Sequence, residues 1–206
     1  SILCVICSVV IGLVGAWMQG AKSRIARAIV QGYIQFFRNT PPLVQLLFFY
    51  FALGQFTPVV TGPDGWTVQP IISNVGWAII SLSFFAGAFN VEIFRAGIEA
   101  IPRGQFEASQ ALGLGYRHMM ADVILPQAIR IVIPPLTNNC INVMKDTALA
   151  SVVAMPDLLK QATQAQALEA NPTPLIVAAL MYIALLWPLV ILVGRLERRY
   201  RGASHR

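Results

Sequence analysis

Charge is what this 206-residue sequence has least of. Fifteen Lys and Arg, nine Asp and Glu and two His leave 12% of positions charged, about half the share of an ordinary soluble domain. So little charge cannot wet the surface of a water-soluble fold of this length, and a soluble globular class is excluded. Histidine is nearly absent: His118 lies in a polar connection and His205 in the tail, neither beside a nucleophile it could activate. The three cysteines are no richer in chemistry. Cys4 and Cys7 form a C-x-x-C within an uncharged apolar run and Cys140 stands alone, where thiols behave as small hydrophobes and no redox or metal role is expected. No G-x-x-x-x-G-K-[ST] segment is present, so a phosphate-cradling loop is missing as well. With no nucleophile–base pair and no metal-ligand set, the chain is not expected to be an enzyme. The net charge of +6 does not suggest nucleic acid, because no basic face interleaved with aromatics accompanies it.

What the sequence has instead is apolar length. Hydrophobic residues make up 56% of it and the mean hydropathy is +0.64, values of a chain that lives in a bilayer. Runs near the ~20 residues needed to cross hydrocarbon fall at Ile2–Gln19, Pro42–Phe56, Ile71–Phe94, Ala128–Met155 and Pro174–Gly194. Five spans are predicted, the second short and the fourth interrupted by polar residues. The first begins at Ser1 without a methionine, so it is expected to be processed or truncated; it lacks the basic flank of a signal peptide. Lys22, Arg24, Arg27 and Arg38 separate spans one and two, Arg103 and Arg117 separate three and four, and Arg195, Arg198, Arg199, Arg201 and Arg206 follow span five. Connections 57–70 and 156–173 carry only Lys160. The positive-inside rule then places the basic connections and the C-terminus in the cytoplasm, and the N-terminus outside.

One segment breaks the apolar pattern. Residues 103–126, RGQFEASQALGLGYRHMMADVILP, are polar and amphipathic. On a continuous helix Ala108, Ala111, Leu112, Tyr116 and Met119 would share an apolar face, with Gln110, Arg117, His118 and Asp122 elsewhere. Gly113 and Gly115 interrupt that helix and Pro126 starts the chain on its next span. The segment is therefore expected to form two short helices with an elbow. A surface helix resting on lipid headgroups is the simpler alternative.

Glu107-Ala108-Ser109, Gly113 three residues on, and Val123-Ile124-Leu125-Pro126 after nine more resemble the cytoplasmic coupling motif of ABC importer permeases, with Ser109 and Val123 as conservative departures. Four stretches extend the likeness over nearly the whole chain and narrow it to the polar amino-acid branch: FFRNTPPLVQLLFFYFALG at 36–54, VEIFRAGIEAIPRGQFEASQALG at 91–113, VILPQAIRIVIPPLTNN at 123–139 and VMKDTALASVVAMPDLL at 143–159. The resemblance implies an all-α polytopic membrane protein in one domain, residues 1–206, of the bacterial inner membrane. It implies pairing with a second permease subunit, identical or homologous. It further implies two cytoplasmic ATPase subunits, which carry the ATP and Mg, and an extracytoplasmic amino-acid-binding protein that delivers the substrate. No cofactor is then expected on this chain. By the same resemblance Glu107, Ala108, Ser109, Gly113, Tyr116 and Arg117 dock into the ATPase. Residues 22–40 either brace that cytoplasmic face or form a solvated loop. A secondary transporter or channel driven by an ion gradient is the competing class, and neither an inverted repeat nor the coupling segment favours it.

Polar groups within the spans each need a reason, because the bilayer core offers them no water. Asn138, Asn142 and Asp146 recur every fourth residue and form one stripe, with Thr137, Lys145 and Ser151 beside it. Span three supplies Asn90, Glu92, Arg95 and Glu99, in which Glu92 and Arg95 share a face, as do Arg95 and Glu99. Spans three and four run in opposite directions, so Asn90 and Glu92 should match Thr137 and Asn138 in depth, with Lys145 and Asp146 further out. The sequence allows two readings: Asn90, Glu92, Thr137, Asn138, Asn142, Lys145 and Asp146 line a pathway for a zwitterionic or charged amino acid, or they join helix to helix. The Glu92–Arg95 pair leans to the structural reading. Pro134-Pro135 either breaks the helix beside a transport site or only kinks it. Outside the membrane, 57–69 with Asp64 and Trp66, and 156–173 with its Pro156-Asp157-Leu158-Leu159 opening, are candidate docking surfaces for the binding protein; interfacial anchoring explains Trp66 equally well.

Overall fold

The computed structural model describes residues 1–61, 66 and 68–201; Asp64, His205 and Arg206 lie outside the described residues. Helix α1 (Ile2–Gln19) turns Cys4, Ser8, Gly12 and Gly15 inward and leaves Ile2, Leu3, Ile6, Val10, Leu13, Val14 and Trp17 exposed, as expected of a helix with one face on protein and one on lipid. Helix α2 (Arg24–Asn39) starts where the Ser23 hydroxyl accepts the Ala26 N–H at 3.3 Å. It breaks at Thr40-Pro41 and resumes as α3 (Pro42–Leu47), which continues through a π-helical turn (Phe48–Leu53) and a 3-10 turn (Gly54–Phe56). A small antiparallel hairpin follows, β1 (Val59–Thr61) and β2 (Val68–Pro70), with Val60 opposite Gln69. Next come α4 (Asn74–Glu99) and α5 (Arg103–Ala111). A continuous helical path runs from α6 (Tyr116–His118) through a second π-helical turn (Met119–Ile124) into α7 (Leu125–Asp146) and a 3-10 turn (Thr147–Val153). The chain ends with α8 (Leu158–Glu169) and α9 (Thr173–Arg201).

Four of these paths have the length and apolarity to cross a membrane: α1, α4, Tyr116–Val153 and α9 from Thr173 to Arg195. The second predicted span, Pro42–Phe56, is helical but shorter; at ~1.5 Å per residue it covers only about 22 Å of the ~30 Å core. Helix α2 makes up the shortfall. Val30 and Ile34 share a buried cluster with Val91, Tyr33 and Phe37 contact Phe84, and Leu46 packs with Ala78. As residue numbers rise along α2 and α3 they fall along α4, so the two helices climb α4 together. The expectation that residues 22–40 lie along one membrane face or form a loop is thereby corrected. Alternating polar and apolar residues hid the ascent: α2 keeps Val30, Ile34 and Phe37 inward and arginines elsewhere.

The break between α2 and α3 is closed from inside. Pro41 has no N–H for the helix ladder, and the buried Gln45 amide donates to Phe37 O and Thr40 O, both at 2.8 Å. The Thr40 hydroxyl donates to Phe36 O at 2.6 Å. Carbonyls that a proline break would leave bare inside the protein are thus satisfied.

Helix α4 is the centre of the bundle. It runs parallel to α1 and antiparallel to α7. Cys4 clusters with Leu82, Ala86 and Val143, and a side chain at Gly97 would collide with Val132. Connection 156–173 is no loop: Asp157 accepts the Lys160 N–H at 2.8 Å and starts α8. From Thr173 to Gly194 helix α9 is apolar nearly all round, with Ile176, Leu180, Ile183, Trp187 and Ile191 exposed and Ala178 and Val193 buried, the surface of a helix at the bundle's lipid edge.

Candidate coupling surface and polar pathway

The elbow forms as two helices joined by a glycine. Helix α5 ends in a Schellman motif: Gly113 N–H donates to Gln110 O at 2.9 Å and Leu114 N–H to Ser109 O at 3.1 Å. Gly113 has φ +73°, the left-handed conformation that glycine alone adopts without cost. The chain then re-enters a helix at Tyr116, after Gly115 in extended conformation.

This bend corrects the predicted apolar face. A single helix would have aligned Ala108, Ala111, Leu112, Tyr116 and Met119, but the Gly113 turn separates them. Only Met119 is buried; Leu112 is 79% and Tyr116 72% exposed, and Ala108 and Ala111 face outward too. The inner side is made by Phe106 and Leu114, which join Ile98, Ile101, Met119, Ile124 and Ala128 in one apolar cluster. The elbow is therefore packed onto the feet of α4 and α7. Glu107, Ala108, Gly113, Tyr116 and Arg117 are exposed, an open surface with apolar and charged groups side by side. Ser109 is not on it: its side chain is buried and its hydroxyl donates to Gln105 O at 2.7 Å, so it holds α5 in place instead of meeting a partner.

The polar residues of the spans separate into two sets. Asn90 is completely buried; its amide donates to Ser8 Oγ at 3.2 Å and its Oδ1 accepts from Asn139 Nδ2 at 2.7 Å, while Asn139 also donates to Ala86 O at 3.2 Å. This chain of hydrogen bonds ties α1, α4 and α7 together. Asn90 thus belongs to the helix-to-helix set, and its place among pathway residues is corrected. Asn139 had no role in the sequence reading, although a signal existed: Val132, Asn139 and Val143 are spaced as one helical face, and that face meets α4.

The second set stays at the surface of the subunit. Asn138, Asn142 and Lys145 are exposed, and Thr137 and Asp146 are half-buried. The Thr137 hydroxyl donates to Ile133 O at 2.6 Å, within the stretch where Pro134 and Pro135 remove two helix donors. Among the described residues no salt bridge forms at Lys145 or Asp146. The Asn90–Asn139 bond sets the depth register between α4 and α7 and places Glu92 near the level of Thr137 and Asn138, with Lys145 and Asp146 further toward the hairpin end.

Glu92 is held by two cations. Arg95 contacts it at 3.0 Å and Arg38 of α2 at 3.3 Å, and Arg95 also binds Glu99 at 2.7 Å. The Arg38 guanidinium lies 5.4 Å from the Phe89 ring centroid, within cation–π range. Arg38 was missed as a partner because it is 54 residues from Glu92 in a chain numbered through both, and only the ascent of α2 beside α4 brings it there. An open groove of about 470 Å³ lies beside this pair, lined by Arg38, Phe89, Glu92, Gly97, Ile131 and Pro135 among others.

Several membrane-crossing apolar helices, a polar face on one of them, and an elbow packed against its foot define a membrane-embedded transport subunit. The chain belongs to the family described as binding-protein-dependent transport system inner membrane component, whose model matches residues 5–202. It is 37% identical over 201 residues to a protein of Rickettsia bellii named for a glutamine transport system permease, covering 97% of this chain and 87% of the relative. It is 35% identical to the arginine transport system permease protein ArtQ of Bacillus subtilis, covering 96% and 88%. The crystal structure of an amino acid ABC transporter superposes with a TM-score of 0.84 at 33% identity, covering 96% of this chain and 87% of that one. An inward-facing methionine ABC transporter shares the fold, with a TM-score of 0.66 at 19% identity and coverage of 95% and 94%. The protein is a predominantly helical, multi-pass membrane permease of the ATP-binding-cassette import class.

Proposed function

We propose that this chain forms half of the translocation pathway of an importer for a polar amino acid. It pairs with a second permease subunit, receives substrate from an extracytoplasmic binding protein and is driven by two cytoplasmic ATPase subunits. The observation that carries this reading is the elbow: an exposed surface of Glu107, Ala108, Leu112, Tyr116 and Arg117 backed by an apolar cluster that reaches the foot of α7. The substrate class rests on the named relatives, which transport glutamine or arginine by their names. A partner that closes and opens on the elbow biases a bundle with two packings, the general way such energy is transmitted. The experiment is reconstitution with the ATPase and the binding protein. ATP-dependent uptake that requires both supports the reading; uptake driven by an ion gradient without the ATPase overturns it in favour of a secondary transporter.

The substrate face is the stripe Thr137, Asn138, Asn142, Lys145 and Asp146, with Glu92 at the level of its start. Asp146→Asn keeps size and hydrogen-bonding capacity and removes only the ability to carry charge. It is expected to change the competition profile among basic, neutral and acidic amino acids while the purified complex melts at an unchanged temperature. An unchanged profile with a lowered melting temperature would move Asp146 to a structural role.

The basic elbow end is cytoplasmic in this reading, and the hairpin lies outside. In a background lacking Cys4, Cys7 and Cys140, the substitutions Gln69→Cys and Asn171→Cys are expected to react with an impermeant maleimide from outside, and Lys22→Cys and Gln110→Cys are not. Labelling of Gln110→Cys from outside reverses the orientation.

A further inference from the structure

The foot of α7 is a wide, interrupted turn. Leu125 N–H reaches five residues back to Met120 O, and Pro126 has no N–H to give to Asp122 O. Such π-helical turns interrupt the regular i→i−4 ladder and are frequent at functional sites. This one stands between the elbow and the polar face of α7, where any displacement of the elbow must pass.

One side chain spans the gap. The half-buried Gln127 donates through Nε2 to Val123 O at 2.8 Å, inside the turn. The same nitrogen lies 3.4 Å from Gln105 Oε1 on α5, long for a hydrogen bond yet within reach of one on small adjustment. Gln105 in turn supplies the carbonyl that the buried Ser109 hydroxyl binds. Gln127 therefore touches both arms of the elbow region at once, the turn before α7 and the helix that carries Glu107. The apolar cluster of Ile101, Phe106, Met119, Ile124 and Ala128 presses these parts together, but apolar contact is non-directional and does not stop them sliding. A hydrogen-bonded side chain fixes their register.

We propose that Gln127 is a positioning residue that clamps α5 to the turn at the foot of α7, so that a load on the elbow moves α7 instead of being absorbed by the turn. The proposal rests on the reading of the elbow as the ATPase contact. Loss of the clamp then lowers transport per ATP without touching the substrate face.

The test uses the full complex with its ATPase and binding protein. Gln127→Leu removes the donor at similar size; Gln127→Lys keeps an N–H donor on a long side chain. Uptake per ATP hydrolysed is expected to fall by about three- to tenfold in Gln127→Leu, the effect of one lost hydrogen bond on a two-state equilibrium. Apparent substrate affinity should be unchanged, and Gln127→Lys should recover most of the coupling. A wild-type ratio in Gln127→Leu, with Glu107→Lys uncoupled, overturns the clamp and leaves the elbow's role intact. Normal coupling in both variants overturns the elbow reading and the clamp with it. If Gln127→Leu does not assemble, the pair Gln105→Cys and Gln127→Cys decides in a background lacking the native thiols. It should couple poorly when free and regain transport when joined by a short bismaleimide. Transport abolished by the link would mean that α5 and α7 must part during the cycle, and would overturn the proposal.

Discussion

Glu107→Lys is expected to abolish ATP-driven uptake while the amount of protein in the membrane stays at its normal level. Glu107 is exposed on α5 and forms no salt bridge among the described residues, so its loss leaves no buried group bare and the fold has no reason to fail. A reversed charge on a contact surface is different, because juxtaposing like charges across an interface costs several kcal/mol; uptake should fall at least about tenfold, the equivalent of ~1.4 kcal/mol. Gly113→Val approaches the same surface from the backbone. At φ +73° a β-branched residue is a conformational outlier and costs ~1–2 kcal/mol, enough to open the Schellman turn and re-aim α5. The measurements are uptake, ATPase association and substrate-stimulated hydrolysis in the assembled complex. Both variants transporting normally would remove the elbow from the coupling path.

Gly12→Leu should produce the largest loss of stability. A side chain at Gly12 meets Asn90 Cβ directly, with the Asn90 backbone carbon and Phe94 Cε2 both at 3.1 Å. Helix α1 would have to move away from α4, at an overpacking cost of ~1–3 kcal/mol, and the Ser8–Asn90–Asn139 bonds would part with it. Asn139→Leu isolates the polar share: interhelical hydrogen bonds in membranes average about 0.6 kcal/mol, and Asn90 is left with an unpaired buried oxygen. Thermal melting of the detergent-solubilised complex should order the variants with Gly12→Leu lowest. Melting of Asn139→Leu at the wild-type temperature would show that the three-helix network is not a stabilising contact.

These variants separate what composition can say from what packing decides. Scarce charge and long apolar runs already require a bilayer and helices, because hydrocarbon satisfies no backbone group. The positions of α1, α4 and α9 follow within a few residues. The elbow was also legible, since Gly113, Gly115 and Pro126 are local punctuation whose effect does not depend on distant contacts. Even the relative depth of spans three and four could be read, because antiparallel neighbours count residues in opposite directions.

The faces were not legible. Asn138 and Asn139 are adjacent and chemically identical, yet one is exposed and the other binds Asn90 at 2.7 Å. Which of the two turns inward depends on where α4 lies, and that is a property of the bundle. The Arg38–Glu92 pair at 3.3 Å depends on α2 climbing beside α4, which apolar-run length concealed. The exposed Leu112 and Tyr116 result from a chain reversal at one glycine that ended a helical period. By itself, then, the sequence determined the solvent, the helical class, the break points and the elbow, because these follow from local chemistry. The tertiary structure alone decided which polar group joins helices and which stays exposed on the subunit surface, because helix rotation is fixed by neighbours and not by the helix's own residues.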